Sequence, residues 1–157
     1  MAPRDRIFAV DAIDRKILAV LQADGRLTVT ELAQRIGLSA APCHRRLREL
    51  ERSGVICGYR AVIDGAAVGH GFEVLIAVTM DREESVVAFE AGLAEIPEVV
   101  HAERLFGEPD YFVRVATADI AAFQRLRDER LARLPGVQRM TSTIVMKKVV
   151  DNRPLPT

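Results

Sequence analysis

The first third of the chain places apolar residues at helical spacing in successive short segments. The first segment runs from Asp11, a good N-cap residue, to Gly25, and its apolar residues return every three or four positions. The second begins with Thr28 and Glu31 at the spacing of a capping box and ends at Gly37. The pattern therefore predicts two helices before residue 38.

A third helix is predicted after Ser39, which can cap it, with Pro42 in its first turn. Its apolar face follows the spacing i, i+3, i+7 and i+10: Ala40, Cys43, Leu47 and Leu50. A basic stripe, flanked by His44 and Arg46, lies on another face: Arg45, Arg48 and Arg52. Adjacent helical residues do not face each other, so Cys43 and His44 are not predicted to form a nucleophilic pair. Cys43 is predicted to be a core residue.

Two helices joined by a short turn containing Gly37, the second with small residues at its start, are typical of a helix-turn-helix. In that motif the second helix enters the major groove of DNA. The simpler alternative is an amphipathic helix with a solvated basic face. A strand is predicted over residues 54–64. The predicted DNA contacts are Thr28, Ser39, Ala40, Ala41, His44, Arg45, Arg46 and Arg48.

After residue 71 the apolar pattern changes to strands alternating with helices, in the order β-α-β-β-α-β. The pattern repeats, because Pro97 and Val99 have counterparts 38 positions later at Pro135 and Val137. The six predicted elements, in the order strand, helix, strand, strand, helix, strand, cover residues 72–81, 83–96, 97–106, 111–118, 119–134 and 135–150. This is the ferredoxin-like order.

The predicted fold class is therefore α+β, with a winged-helix-like N-terminal domain and a ferredoxin-like domain. The domains are predicted as residues 1–63 for DNA binding, 64–72 as a linker, and 73–157 for effector binding and oligomerisation. Helices on one face of a four-stranded sheet leave the other face bare. We expect a second subunit to cover that face and form a homodimer.

The formal net charge of zero conceals an uneven distribution. Residues 1–64 carry 11 Lys and Arg against 8 Asp and Glu, whereas residues 65–157 carry 11 against 14. A basic first half and an acidic second half indicate modules with different partners. No apolar run approaches the ~18 residues that cross a membrane, and the N-terminus lacks a signal-peptide core. We therefore expect a cytoplasmic protein.

The residues that hold metals or attack substrates are sparse. The chain has two cysteines and three scattered histidines, which form neither a disulfide framework nor a zinc ligand set. No phosphate-binding, dinucleotide-binding or nucleophile-elbow motif occurs. No cofactor, metal or catalytic residue is predicted.

With both modules considered, the chain resembles the Lrp/AsnC (feast/famine) family of transcriptional regulators. The resemblance covers about residues 11 to 150 and depends on four segments: "IDRKILAVLQADGRLTVTELAQRIGLS", "PCHRRLRELERSGVICGYRAVID", "GEPDYFVRV" and "LPGVQRMTSTIVMKKV". It implies double-stranded DNA as a partner and a regulatory domain that dimerises. Dimers of this family often assemble further, into tetramers, octamers or larger discs.

The same resemblance implies a small effector, commonly an amino acid, held between regulatory domains near the loop from Gly107 to Asp110. By this comparison Asp110 meets the ligand ammonium, and backbone groups near Gly107 take the carboxylate. The implied effector-binding residues are Leu105, Gly107, Asp110, Tyr111, Thr141 and Thr143. His101 and Glu103 are further candidates.

Two other functions share this architecture. Sirohaem decarboxylases resemble the same pair of modules, and there His101 and Arg114 are the residues to examine. The basic third helix argues against that enzyme. A stand-alone amino-acid sensor with a vestigial helix-turn-helix is the other alternative, and it predicts no DNA binding.

Overall fold

The computed structural model describes residues 9–81 and 85–157, and the chain divides into two compact units. The first extends to Ala61 and includes Val150–Thr157, and the second spans Val62–Val149. The sequence placed residues 150–157 in the second domain, whereas here they lie in the first unit. The helices are α1 Ala12–Ala23, α2 Val29–Ile36, α3 Ala40–Arg52, α4 Val86–Ala94 and α5 Ile120–Glu129. The strands are β1 Phe72–Met80, β2 Val99–Arg104, β3 Tyr111–Thr117 and β4 Val137–Ile144.

The first two helices begin as their capping residues predict. The Asp11 carboxylate accepts hydrogen bonds from the backbone N–H groups of Ile13 and Asp14, each at 2.9 Å. Thr28 and Glu31 form a reciprocal capping box at the start of α2. The apolar faces of all three helices meet in a core that includes fully buried Ile17, Cys43 and Leu50. This packing orients α3 with the opposite face outward.

The turn between α2 and α3 depends on Gly37, whose φ of 76° is left-handed. A side chain there meets no atom within 4 Å, so the cost of Gly37→Ala is conformational rather than steric. We expect Gly37→Ala to lower the free energy of unfolding by about 1 kcal/mol. Gly25→Ala, whose added Cβ makes ordinary contacts at 3.7 Å, is the matched control. Chemical denaturation of both variants measures the difference, and equal stabilities would contradict this role of the turn.

The predicted strand over residues 54–64 is wrong. This segment has no regular structure before a short 3₁₀ turn at Ala66–Val68. A strand is held by hydrogen bonds to a neighbouring strand. Among the described residues of one chain, no strand pairs with this segment. The last predicted strand is also shorter, because β4 ends at Ile144.

The second unit is a four-stranded antiparallel sheet in the order β2-β3-β1-β4 with α4 and α5, as the βαββαβ pattern predicts. Predicted helix residues 83 and 84 lie outside the described residues. Alternate β1 residues, Val74, Ile76 and Val78, are buried in a core with Phe89 and Phe123 of the two helices. The intervening residues of each strand define the bare face of the sheet.

Candidate functional site

The outward side of α3 carries most of the predicted DNA contacts. Five of them are exposed along its first three turns: Ala40, Ala41, His44, Arg45 and Arg48. Arg48 Nε donates to His44 Nε2 at 3.5 Å, so these two side chains form a pair one turn apart. Small residues at the helix start permit a close approach to a groove, and the arginines beyond them supply positive charge.

Cys43 and His44 separate onto different faces of α3, as the spacing predicts. Cys43 is fully buried and His44 is exposed. Burial raises the pKa of the Cys43 thiol, which keeps it protonated and unreactive. The cysteine therefore belongs to the core of the first unit.

Arg46 does not point outward with the other predicted contacts. Its Nη1 lies 2.7 Å from Asp11 Oδ2 and 2.9 Å from Asp14 Oδ1, and 26% of its side chain is exposed. Hydrogen bonds to both carboxylates raise the pKa of Arg46. Arg46 therefore links α3 to the start of α1. Two acidic residues at the start of α1 were the sequence signal for such a partner. The predicted contact of Arg46 with DNA stays a prediction.

Thr28 and Ser39 occupy the N-caps of α2 and α3. The Thr28 hydroxyl donates to Glu31 Oε2 at 2.7 Å and accepts from the Glu31 N–H at 3.2 Å. Ser39 makes no side-chain capping bond. Both residues are exposed at helix N-termini, where backbone N–H groups favour anions such as phosphate. Their contacts with DNA stay predictions.

The turn between β2 and β3 is held to the end of β1 by Asp110. Asp110 Oδ2 accepts a hydrogen bond from the Met80 N–H at 2.7 Å, and the Asp110 N–H donates to the Val78 carbonyl at 3.0 Å. The Leu105 N–H donates to the Asp110 carbonyl at 2.7 Å and closes the turn. Gly107 has φ of 150° at its exposed tip. Asp110 therefore has a structural role whether or not it also binds an effector.

The six predicted effector-binding residues lie on both sides of the sheet. Tyr111 pairs with buried Val78 and points into the helix-side core. Thr141 and Thr143 pair with Ala77 and Leu75, which belong to the bare face. One protomer therefore does not bring all six residues into one pocket. Leu105, Gly107 and Asp110 lie in the turn between these two groups.

Tyr111 contacts a residue that sequence reasoning did not assign to a site. Its hydroxyl donates to Glu90 Oε1 of α4 at 2.8 Å. Burial, and then the Glu90 carboxylate, raise the pKa of Tyr111 to about 12. A cleft of about 270 Å³ opens beside this pair, and Arg104 of β2 also lines it. In the sequence, Glu90 directly follows Phe89, which is buried in the core of this unit.

The bare face carries its charges in pairs. Glu73 lies 3.4 Å from Arg114 Nη1 and 2.6 Å from Lys148 Nζ. His101 Nε2 lies 3.1 Å from Glu103 Oε1. His101 and Arg114, the two residues to examine for a tetrapyrrole enzyme, are thus each beside a carboxylate.

Within residues 9–81 and 85–157, no three His, Cys, Asp or Glu side chains group as metal ligands. No helix there is long and apolar enough to cross a membrane.

An exposed basic helix in one unit and a ferredoxin-like second unit define a DNA-binding regulator with a separate sensing module. Models of known families match both units: a winged helix-turn-helix DNA-binding domain over residues 10–56, and an Lrp/AsnC ligand binding domain over residues 73–155.

Two curated relatives match nearly the whole chain. The proline dehydrogenase transcriptional activator of Rhodobacter capsulatus is 38% identical over 144 residues, which are 90% of this chain and 94% of the relative. The leucine-responsive regulatory protein of Escherichia coli K12 is 35% identical over 148 residues, which are 93% and 90% of the two chains. A solved Neisseria meningitidis transcriptional regulator in complex with L-Met is 36% identical, with a TM-score of 0.90 over 94% of this chain and 97% of that one. The chain belongs to the Lrp/AsnC family of transcriptional regulators.

This membership confirms the fold class and the resemblance found in the sequence. It also decides between regulator and enzyme, since the relatives are named as transcriptional regulators.

Proposed function

We propose that the protein regulates transcription by reading operator DNA with α3 and that an amino acid bound to the second unit controls this activity. The observation that carries the proposal is the outward face of α3. There Arg45 and Arg48 are exposed, while Cys43 and Leu50 fix the opposite face in the core. Such a helix can insert in the major groove without disturbing its own packing.

The recognition mode follows from the chemistry of the exposed residues. Arginines contact phosphates, which set affinity, and guanine edges, which set specificity. Ala40 and Ala41 carry no long side chain and let the helix approach the base edges. In a two-fold symmetric dimer, two copies of α3 would read the half-sites of a pseudo-palindrome.

The nature of the effector is inferred from the relatives. The Neisseria regulator was solved with L-Met, and so was a Mycobacterium tuberculosis feast or famine regulatory protein that is 36% identical to this chain. An effector can change the affinity for DNA only by as much as it binds one conformation or assembly more tightly than another. The resulting coupling free energy between effector binding and DNA binding is typically about 1–3 kcal/mol.

A homodimer joined through the bare face of the sheet completes the proposal. Leu75, Ala77 and Phe112 lie on this face and are half-buried in one protomer. A contiguous apolar area flanked by the charged pairs of Glu73 and His101 fits a self-complementary interface. Assembly beyond the dimer is inferred from the family alone.

Arg45→Ala tests the DNA-binding face. We expect weaker binding to operator DNA and a salt dependence of log K whose slope falls by about 1, because one phosphate contact is lost. Arg52→Ala is the matched control, since Arg52 is exposed near the end of α3 and pairs with Glu49. Fluorescence anisotropy over a series of salt concentrations measures both slopes.

If Arg45→Ala changes neither the affinity for operator DNA nor the salt slope, Arg45 lies outside the interface. A wild-type chain that binds amino acids but retards no promoter fragment at low salt would instead favour the stand-alone sensor.

A further inference from the structure

Residues Val150–Thr157, which we call the strap, follow the second unit in sequence but belong to the first. The chain therefore passes between the two units twice, once after Ala61 and once after Val149. The backbone bends at Asn152, whose φ of 45° is left-handed, a conformation that asparagine adopts more readily than most residues. The strap is thus a second covalent connection between the units.

The sequence of the strap gives one of its residues a special position. Pro154 and Pro156 have no backbone N–H, so Leu155 carries the only backbone donor between Arg153 and Thr157. A residue that precedes proline is also restricted to extended conformations, and Leu155 precedes Pro156. The N–H and C=O of Leu155 are therefore held in a nearly fixed arrangement, which reduces the entropy lost when both groups bind a partner.

Gln22 of α1 binds both polar groups of this residue. The Leu155 N–H donates to Gln22 Oε1 at 2.6 Å, and Gln22 Nε2 donates to the Leu155 carbonyl at 3.1 Å. A primary amide has a donor and an acceptor side by side, so it pairs with an extended residue as a neighbouring strand does. An ionised glutamate has only acceptors and a lysine only donors, so neither could form this pair.

The strap also borders an apolar groove of the first unit. Leu155 and Thr157 line a cavity of about 400 Å³ together with apolar residues of α1 and of the segment after α3: Leu18, Leu21, Val55 and Ile56. Leu155 nevertheless keeps 74% of its surface exposed. Because little apolar area is buried, the paired hydrogen bonds contribute most of the docking, and the strap can detach without unfolding the unit.

We propose that the first unit contains a docking site for an extended Pro-Leu-Pro segment, that Gln22 is its recognition residue, and that the strap of the same chain is its occupant. While docked, the strap closes a loop through the second unit and limits the orientations open to the first. When it detaches, only the connection after Ala61 remains. Docking therefore restricts how far apart two copies of α3 can bind, a consequence that rests on the proposed function.

Amide hydrogen exchange at Leu155, resolved by NMR in the full chain, measures docking. We expect exchange to be about 10-fold slower than in the free peptide VDNRPLPT, because the docked N–H is hydrogen-bonded. Gln22→Ala should restore the rate of the peptide. Gln34→Ala, at an exposed glutamine of α2, is the matched control and should keep the wild-type rate. Exchange at the peptide rate in the wild type would overturn the docking site.

Leu155→Pro and Leu155→Ala separate the hydrogen bonds from the apolar side chain. Proline keeps an extended backbone and lacks the N–H, whereas alanine keeps the N–H and shortens the side chain. The NMR signals of the Gln22 side-chain amide should move in Leu155→Pro to their position in a chain that ends at Val149. They should stay near the wild-type position in Leu155→Ala. The opposite pattern would overturn Gln22 as the recognition residue.

Operators whose half-sites are moved apart by single base pairs test the connection between the units. We expect Gln22→Ala to reduce the preference of the wild type for one spacing several-fold, because more orientations become accessible, and to bind a single half-site as the wild type does. A protected Leu155 N–H in the wild type with an unchanged spacing preference in Gln22→Ala would overturn the link between the units. If the wild type binds no operator, the proposed function fails, whereas the exchange measurement still decides whether the strap docks.

Discussion

An Arg46→Met variant is expected to lose operator binding because its first unit loses stability, not because a DNA contact is removed. Arg46 contacts Asp11 and Asp14, and Asp14 is buried with only 4% of its surface exposed. Methionine keeps much of the apolar stem but leaves the buried carboxylate without its cation, and an uncompensated buried charge is strongly destabilising. We expect the thermal unfolding midpoint of the first unit to fall by several degrees, as measured by calorimetry.

The pH dependence of stability supplies a second measurement on the ion pair between Arg46 and Asp11. The backbone N–H of Asp14, followed by Arg46, holds the pKa of Asp11 below its ordinary value of about 3.9. The folded pKa is therefore lower than the unfolded one. The stability that this shift contributes is fully present above about pH 4 and is lost as the pH falls through the folded pKa. Arg46→Met should reduce this loss between pH 4 and the folded pKa.

Arg45→Met is the matched control, because the neighbouring side chain is exposed on α3. It should leave thermal unfolding unchanged and weaken DNA binding in a salt-dependent manner. If Arg46→Met keeps the wild-type midpoint and reduces only the salt slope, Arg46 is a DNA contact, as its position in the sequence first indicated.

Local chemistry explains which parts of the fold were predictable. The caps at Asp11 and Thr28 are interactions within four residues, so the sequence contains both partners. Alternation along β1 similarly encodes which residues face the core. The segment 54–64 has strand-forming residues, but a strand also needs a partner that residue composition does not specify. The return of Val150–Thr157 to the first unit depends in the same way on contacts distant in sequence, such as the Leu155 N–H donating to Gln22 Oε1 at 2.6 Å.

In the candidate sites, too, local features were predictable from the sequence and contacts between distant residues were not. Helical periodicity alone separated Cys43 from His44 and the arginines. Periodicity did not distinguish Arg46 from Arg45, because the difference is an ion pair with residues more than 30 positions earlier. The effector residues were taken from a resemblance, and resemblance does not state which face of a sheet each residue occupies. Strand register places Tyr111 and Thr141 on opposite faces of the sheet.

Asp110→Ala and Asp110→Asn are expected to separate the two roles assigned to the turn aspartate. Alanine removes the acceptor of the Met80 N–H, so the free energy of unfolding should fall by about 1–3 kcal/mol. Asparagine keeps a side-chain oxygen for that bond and loses the charge, so most of this stability should be retained. Chemical denaturation of wild type and both variants without ligand measures the structural role.

The same variants with ligand then test where the effector binds. If the Asp110 carboxylate holds the ligand ammonium, Asp110→Asn should fold like wild type and lose the rise in unfolding midpoint caused by an amino acid. An unchanged rise in Asp110→Ala would remove the turn from effector binding altogether, because that variant lacks both the charge and the acceptor.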